Sequence, residues 1–281
     1  MTSPVDVAQE FCAANGHTFI GPVGAGAFKE TFHIVLATGG PQALKVFQPG
    51  FSPERTSREL SAMQRCSHPN IANLTSIAGF YHDGIQFLLS VEEFLPGGTL
   101  TTRLQRGSFT RTEALGIGNQ LVNAVAHIAS HDLVHRDIKP DNILFRQDGV
   151  TPVIVDFGLV RDLVRTSLTH TWFMRGPGTP YFASPEQLRN EKAMIDWRSD
   201  QFSLGVVMTI GLFGIHPYQE EEALPAQTVE RVAERAPQSN RFLKCAKEVG
   251  MPFLIRMTAP WPVERFRLPE NLQVVWEEAS R

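Results

Sequence analysis

The chain has 281 residues, 42% hydrophobic and 20% charged, a balance that excludes intrinsic disorder and suits one large domain or two small ones. Twenty-six basic against 29 acidic residues leave a net charge of −3, without the whole-domain basic footprint of a nucleic-acid binder. Three widely spaced cysteines (Cys12, Cys66, Cys245) suggest neither a disulfide framework nor a metal cluster and fit a reducing compartment, the cytoplasm. Met1 to Gly16 carries Asp6 and Glu10 and lacks a basic start and an apolar core, so no signal peptide is expected. The most apolar run, Phe202 to Ile215, is shorter than the roughly 20 residues that cross a bilayer and reads as a buried helix. No membrane or nucleic-acid partner is expected.

In chain order, Val5 to Asn15 has helical apolar spacing, with Gly16 suited to the position just past a helix. Phe19-Ile20, Phe32 to Leu36 and Ala43 to Phe47 then read as strands, and Gly39-Gly40 signals a hairpin between the last two. Ser52-Pro53-Glu54 is a helix start, with a capping side chain, a proline at the first helical position and an acid at the positive dipole end. That helix is expected to run to about Cys66. Strands follow around Leu74–Tyr81 and Gln86–Glu92, turned by His82-Asp83-Gly84. After Pro96-Gly97-Gly98 the chain becomes helical, with a long stripe from Arg111 to Ser130. Two short apolar strands, Ile143 to Phe145 and Val153 to Val155, precede a further helical region from Pro185. A small β-rich lobe thus precedes a larger helical one, with the hinge near Gly97.

Lys45 stands out within this pattern. Ala43, Lys45 and Phe47 share one strand face while Leu44 and Val46 share the other, so the strand is central and Lys45 is a charge among buried neighbours. Such a charge needs an anion. In the helix beginning at Ser52, Glu59 lies with Thr56, Leu60 and Met63 on the inward stripe, which makes it the candidate partner.

The strongest signal is His135-Arg136-Asp137-Ile138-Lys139-Pro140-Asp141-Asn142, between the long helix and a short strand, followed by Asp156-Phe157-Gly158 directly after Val153-Ile154-Val155. At this spacing the two runs resemble the catalytic loop and the metal-binding motif of eukaryotic-like (Hanks-type) serine/threonine protein kinases. The resemblance runs from about Gly24 to Arg265. It implies an α+β, bilobal kinase fold, with a β-rich, nucleotide-binding N-lobe over residues 1–95 and a helical C-lobe over 96–281 that carries the catalytic loop and the substrate site.

The resemblance also implies roles. The γ-phosphate of ATP, with Mg²⁺ or Mn²⁺, would pass to a serine or threonine of a protein substrate, chemistry that needs positioning and charge neutralisation. Asp137 would accept or orient the hydroxyl proton, Lys139 would neutralise phosphate charge, and Thr179 would bridge them. Asn142 and Asp156 would offer Mg²⁺ hard oxygen ligands. Lys45, paired with Glu59, would hold the nucleotide phosphates under the loop Val23, Gly24, Ala25, Gly26, Ala27 and Phe28. Lys29 stands where that loop has a third glycine, and either adds charge or points to solvent. Glu93 and Leu95 flank Phe94 in the segment that bonds the adenine edge. Glu92 stands at the position gating a pocket behind the base, where a carboxylate is unusual, and either pairs with a nearby base or faces solvent.

Further along, Gly178 to Glu186 resembles the substrate-docking loop, with Ser184 where alanine is usual. Asp200 matches the buried anchor of the catalytic loop, and Arg265 would pair with Glu186. Met63, Leu74, His135 and Phe157 match an apolar stack linking the lobes. Thr166, Ser167, Thr169 and Thr171 are candidate phosphorylation sites that would dock on Arg136, the other reading being a constitutively ordered loop with incidental hydroxyls. The acidic run Glu220-Glu221-Glu222 either draws basic substrate segments or only aids solubility. Two other function classes are a pseudokinase scaffold that binds a partner without catalysis and a kinase-fold phosphotransferase acting on a small molecule. Intact Lys45, Asp137 and Asp156 speak against the first, the docking loop and Thr179 against the second. No residue pattern reports the oligomeric state.

Overall fold

The computed structural model describes residues 3–26, 29–49, 64, 66–156 and 180–281. These fall into two compact units that succeed one another in the chain at Pro96–Gly97.

The first unit opens with α1 (Pro4–Ala14), begun by Ser3, whose hydroxyl accepts from the Val5 N–H, and by a proline in its first turn. Five antiparallel strands follow: β1 (Thr18–Ala25), β2 (Lys29–Val35), β3 (Pro41–Phe47), β4 (Leu74–His82) and β5 (Ile85–Glu93). Their order in the sheet is β1-β2-β3-β5-β4, so β3 is central, as the two-faced apolar pattern around Lys45 requires. Alternation sends Phe32, Ile34, Leu44, Val46, Leu89 and Val91 to one face, where Val7, Ala8, Phe11 and Cys12 of α1 cover them. A polar contact between the Glu10 carboxylate and the His82 ring fastens the helix to β4. The opposite face carries Phe47, Leu74 and Leu88 in a smaller apolar cluster, and beside it Lys45 and Ser90 as cross-strand partners.

The β2–β3 connection is wider than a two-residue hairpin. Residues 36–40 make it, with the Gly39 N–H donating to Leu36 O at 2.9 Å and the Leu36 N–H to Gly40 O at 3.2 Å. Gly39 and Gly40 hold φ of 89° and 93°, a region closed to most side chains. The edge strand β1 contains Pro22 and two register shifts, which an edge tolerates because one row of its backbone groups has no ladder to complete. The helix expected from Ser52 to about Cys66 falls on residues 50–63 and 65, outside the described residues; Cys66 itself is buried.

The second unit contains α2 (Leu100–Leu104), α3 (Arg111–Ser130), a two-stranded sheet of β6 (Ile143–Phe145) and β7 (Pro152–Ile154), and α4 (Pro185–Leu188). Then come α5 (Trp197–Phe213), α6 (Pro225–Ala233), α7 (Asn240–Glu248), α8 (Phe253–Met257) and α9 (Pro269–Ser280). Thr110 and Glu113 close a reciprocal capping box at the start of α3, each side chain bonding the other's backbone N–H. α5 is buried nearly all round and stops at Gly214, φ 67°. Among the described residues no helix is long and apolar enough to cross a membrane. The antiparallel sheet of the first unit and the helices of the second make the fold α+β, as expected.

Candidate active site

Each unit carries one set of the residues singled out by the sequence. In the first, antiparallel pairing puts Lys45 opposite Ser90 and Ala43 opposite Glu92, so Lys45 and Glu92 are diagonal neighbours on one sheet face. Their side chains are 6% and 8% exposed, and the ammonium is paired with Oε2 of Glu92. The Ser90 hydroxyl donates to Oε1 of the same carboxylate at 2.9 Å. The anion that a buried lysine requires is thus supplied here by Glu92, which pairs with a base rather than facing solvent. Glu59 lies outside the described residues.

The same unit holds the loop residues Val23, Gly24 and Ala25 at the exposed end of β1, and Gly26 closes the turn by donating its N–H to Lys29 O at 2.8 Å. Lys29 lies over the ring of Phe47, 5.7 Å from its centroid. Ala27 and Phe28 lie outside the described residues. The Glu93 N–H donates to Asn73 O at 2.9 Å, and Leu95 is buried. Phe94 stacks on His33, centroids 3.9 Å apart and planes within 1°, a contact no sequence pattern announced.

In the second unit, α3 and β6 bracket the loop His135 to Asn142. Asp137 is held from two sides. Asn142 Nδ2 donates to its Oδ2 at 2.9 Å and to its backbone carbonyl at 2.8 Å, and Lys139 Nζ lies 3.1 Å from Oδ2. Asn142 itself is fixed by the small sheet, because the Val155 N–H donates to its carbonyl at 2.9 Å. Asp156 follows at φ 62°, and Arg136 sits at φ 67°, left-handed positions that cost a non-glycine residue about 1 kcal/mol or more and persist only when surroundings enforce them.

Here the enforcement is visible. Asp200, from the first turn of α5, accepts the His135 N–H at 2.7 Å and the Arg136 N–H at 2.8 Å. Full burial pushes its carboxyl up to about 7, against those two bonds, which favour the charged form. His135 contributes its ring, with Nε2 donating to Val155 O at 3.0 Å and Nδ1 accepting the Asp137 N–H at 3.3 Å. Gln187 Nε2 donates to the Arg136 carbonyl at 2.9 Å, while its Oε1 accepts from Ser184 N and Oγ, both at 3.0 Å. The sequence signal for Gln187 was the pattern Ser-Pro-Glu-Gln, a capping box with serine at its head. Ser184, the departure from alanine, thus ties the segment before α4 to the loop His135 to Asn142.

Beside this loop is a cavity of about 460 Å³ between α2 and the turn 180–182. Leu104, Pro140, Tyr181 and Phe182 supply apolar wall and Asp141 a carboxylate, which accepts from Thr101 at 2.7 Å. Of the acidic run, Glu220 is occupied by Arg231 at 2.8 Å. Leu74 is buried in the first unit and His135 in the second. Met63, Phe157, Thr179 and the hydroxyls Thr166, Ser167, Thr169 and Thr171 lie outside the described residues.

The family model described as "Protein kinase domain" matches residues 17–276. "Probable serine/threonine-protein kinase PknB" of Lactococcus lactis is 33% identical over 188 residues, 65% of this chain and 28% of that protein. "Serine/threonine-protein kinase PrkC" of Bacillus subtilis is 31% identical over 220 residues, 78% of this chain and 32% of that protein. "CBL-interacting protein kinase 16" of Oryza sativa is 29% identical over 227 residues, 79% of this chain and 46% of that protein. The chain therefore spans about a third to a half of the length of these curated relatives.

Proposed function

Because the chain belongs to the protein kinase domain family, we propose that it moves the γ-phosphate of ATP to serine or threonine hydroxyls of a protein substrate. The observation that carries the reading is the fixed carboxylate of Asp137. Asn142 and Lys139 both meet its Oδ2 and hold the group in place, and this carboxylate is the one to receive the hydroxyl proton of the acceptor. Lys139, already beside that carboxylate, lies where charge on the transferred phosphoryl group would need neutralising. The loop pays no reorganisation cost at the moment of transfer, since Asp200 and Gln187 hold its backbone.

The first unit is the nucleotide-binding lobe in this reading. Lys45 contacts the phosphates, with Glu59 as a further partner, Val23 to Phe28 cover them, and Glu93 and Leu95 meet the base. The second unit is the catalytic lobe. Its donor set suits Mg²⁺ or Mn²⁺: with Asn142 Nδ2 committed to Asp137, its amide oxygen and the Asp156 carboxylate are hard oxygen ligands of the kind these ions take. When bound, such an ion neutralises phosphate charge. Thr179 would join Asp137 and Lys139 in placing the acceptor. The apolar cavity beside Asp141 supports a peptide segment as acceptor rather than a small polar molecule. The three free cysteines support a reducing, cytoplasmic setting.

Incubation with γ-labelled ATP, Mg²⁺ and a generic protein substrate tests the proposal. Label should appear in the protein as phosphoserine or phosphothreonine. Asp137→Asn should lower turnover by about 10²–10⁴-fold while leaving nucleotide affinity nearly unchanged. Transfer that survives Asp137→Asn undiminished would dispose of the assignment, and wild type that binds a partner protein without any transfer would establish the scaffold reading.

A further inference from the structure

The lysine that the proposed reaction needs for phosphate already holds a buried carboxylate from its own sheet. We propose that Glu92 is a built-in competitor of the nucleotide phosphates at Lys45 and thereby sets nucleotide affinity, an inference that rests on the nucleotide-binding reading above.

The arrangement follows from register. β3 and β5 are antiparallel neighbours at the centre of the sheet, with Lys45 opposite Ser90 and Glu92 two residues further along the same face. A lysine side chain reaches such a diagonal neighbour. Lys45 is 5% exposed, Glu92 6% and Ser90 0%, so the pair forms in a poorly hydrated place where charges act strongly on each other. Both carboxylate oxygens are engaged, Oε2 by the ammonium and Oε1 by the Ser90 hydroxyl at 2.9 Å. Ser90 therefore aims Glu92 at Lys45, and both residues come from a strand, which offers less freedom to swing aside than a loop.

The consequence is electrostatic. A phosphate oxyanion approaching Lys45 meets an ammonium whose charge is offset by an adjacent fixed anion. It must share the ammonium and accept repulsion from Glu92, or displace Glu92 and break its bond to Ser90. Either route costs affinity. Glutamine at this position keeps the shape and can still bond Ser90, while the repulsion between its carboxylate and the incoming phosphate disappears.

Calorimetric titration with MgADP and with adenosine distinguishes this role from a general effect on the pocket. Glu92→Gln should bind MgADP about tenfold more tightly than wild type, while adenosine, which has no phosphate, should bind the two proteins alike. Unchanged or weaker MgADP binding in the variant would overturn the proposal, and so would an equal gain for adenosine, since that reports a reshaped base site. Should Glu92→Gln not fold, Ser90→Ala, which only loosens the carboxylate, should tighten MgADP by about threefold, and no gain there overturns it as well. If wild type binds neither MgADP nor adenosine, the nucleotide-binding reading fails and takes this inference with it.

Discussion

Arg265 and Glu186, 79 positions apart, meet with no solvent exposure on either side chain, Nη1 to Oε1 at 2.7 Å and Nη2 to Oε2 at 3.1 Å. Each is further tied down: the guanidinium donates to the carbonyls of Ala259 and Arg198 and lies over the Phe202 ring, while Ser199 Oγ donates to Glu186. Burial by itself would raise the Glu186 carboxyl. The charge of Arg265 and the bonds from Arg265 and Ser199 outweigh it and hold the group below its ordinary value. The pair thus clamps α4, which carries Gln187 and through it the catalytic loop, onto the residues that follow α8.

From this geometry, Arg265→Ala and Glu186→Ala should each lower the stability of the protein by about 3–5 kcal/mol, because each leaves a buried charge alone. Arg265→Lys should recover only part of the loss, since an ammonium cannot reproduce the two parallel bonds. Urea unfolding followed by circular dichroism measures all three. Alanine variants within about 0.5 kcal/mol of wild type would mean that water reaches the pair.

α3 makes a second prediction at two glycines two residues apart. A Cβ on Gly118 would stand 2.1 Å and 2.2 Å from ring atoms of the fully buried Trp276 in α9, whereas one on Gly116 would meet nothing within 4 Å. Alanine in a helix is worth about 1 kcal/mol over glycine, and overpacking costs about 1–3 kcal/mol or more. Gly116→Ala should therefore stabilise by up to about 1 kcal/mol, and Gly118→Ala should destabilise by about 1–2 kcal/mol as the ring is pushed out. Thermal unfolding of the two variants should give shifts of opposite sign.

Much of this was legible because it is local or motif-borne. α1, β3 and the long α3 follow from periodicity and caps, and the place of the loop His135 to Asn142 between α3 and β6 from residue types at fixed spacing. Lys45 was identifiable as a buried charge in need of an anion, yet its partner Glu92 was not. That pairing depends on the antiparallel register of β3 with β5, strands separated by 37 residues of chain between Phe47 and Ile85, and no local pattern reports register. Nothing in the sequence marks His33 as the residue that will stack on Phe94, for the same reason. Gln187 hid behind a different cause: its capping pattern is short, and its bond to Arg136 O crosses 51 residues. Gly39-Gly40 marked the hairpin between β2 and β3 but not the length of its turn, because such glycines serve a two-residue or a longer connection.

The last prediction concerns acid. His216, just past α5, is 1% exposed and works as a neutral ring, with Nε2 donating to Tyr181 O at 3.0 Å and Nδ1 accepting the Tyr218 N–H at 3.1 Å. It therefore ties the turn 180–182, one wall of the cavity beside the catalytic loop, to the segment leading out of α5. Burial drives its pKa down to about 3, the bond to Tyr181 opposing only weakly. Protonation is then easier in the unfolded chain, at the ordinary value of 6.5, than in the folded one. The stabilisation from a neutral His216 is accordingly complete above pH 6.5 and is lost as pH falls from there towards 3. Between pH 7 and pH 5 this one group should remove about 2 kcal/mol. His216→Gln keeps a donor and an acceptor without a titrating ring. The variant should be less stable than wild type at pH 7, because its shorter amide cannot span both partners, but should lose about 2 kcal/mol less on acidification to pH 5. Denaturant unfolding of both proteins at the two pH values gives the comparison, and parallel losses would show that water or a local opening lets the folded protein protonate this ring at ordinary pH.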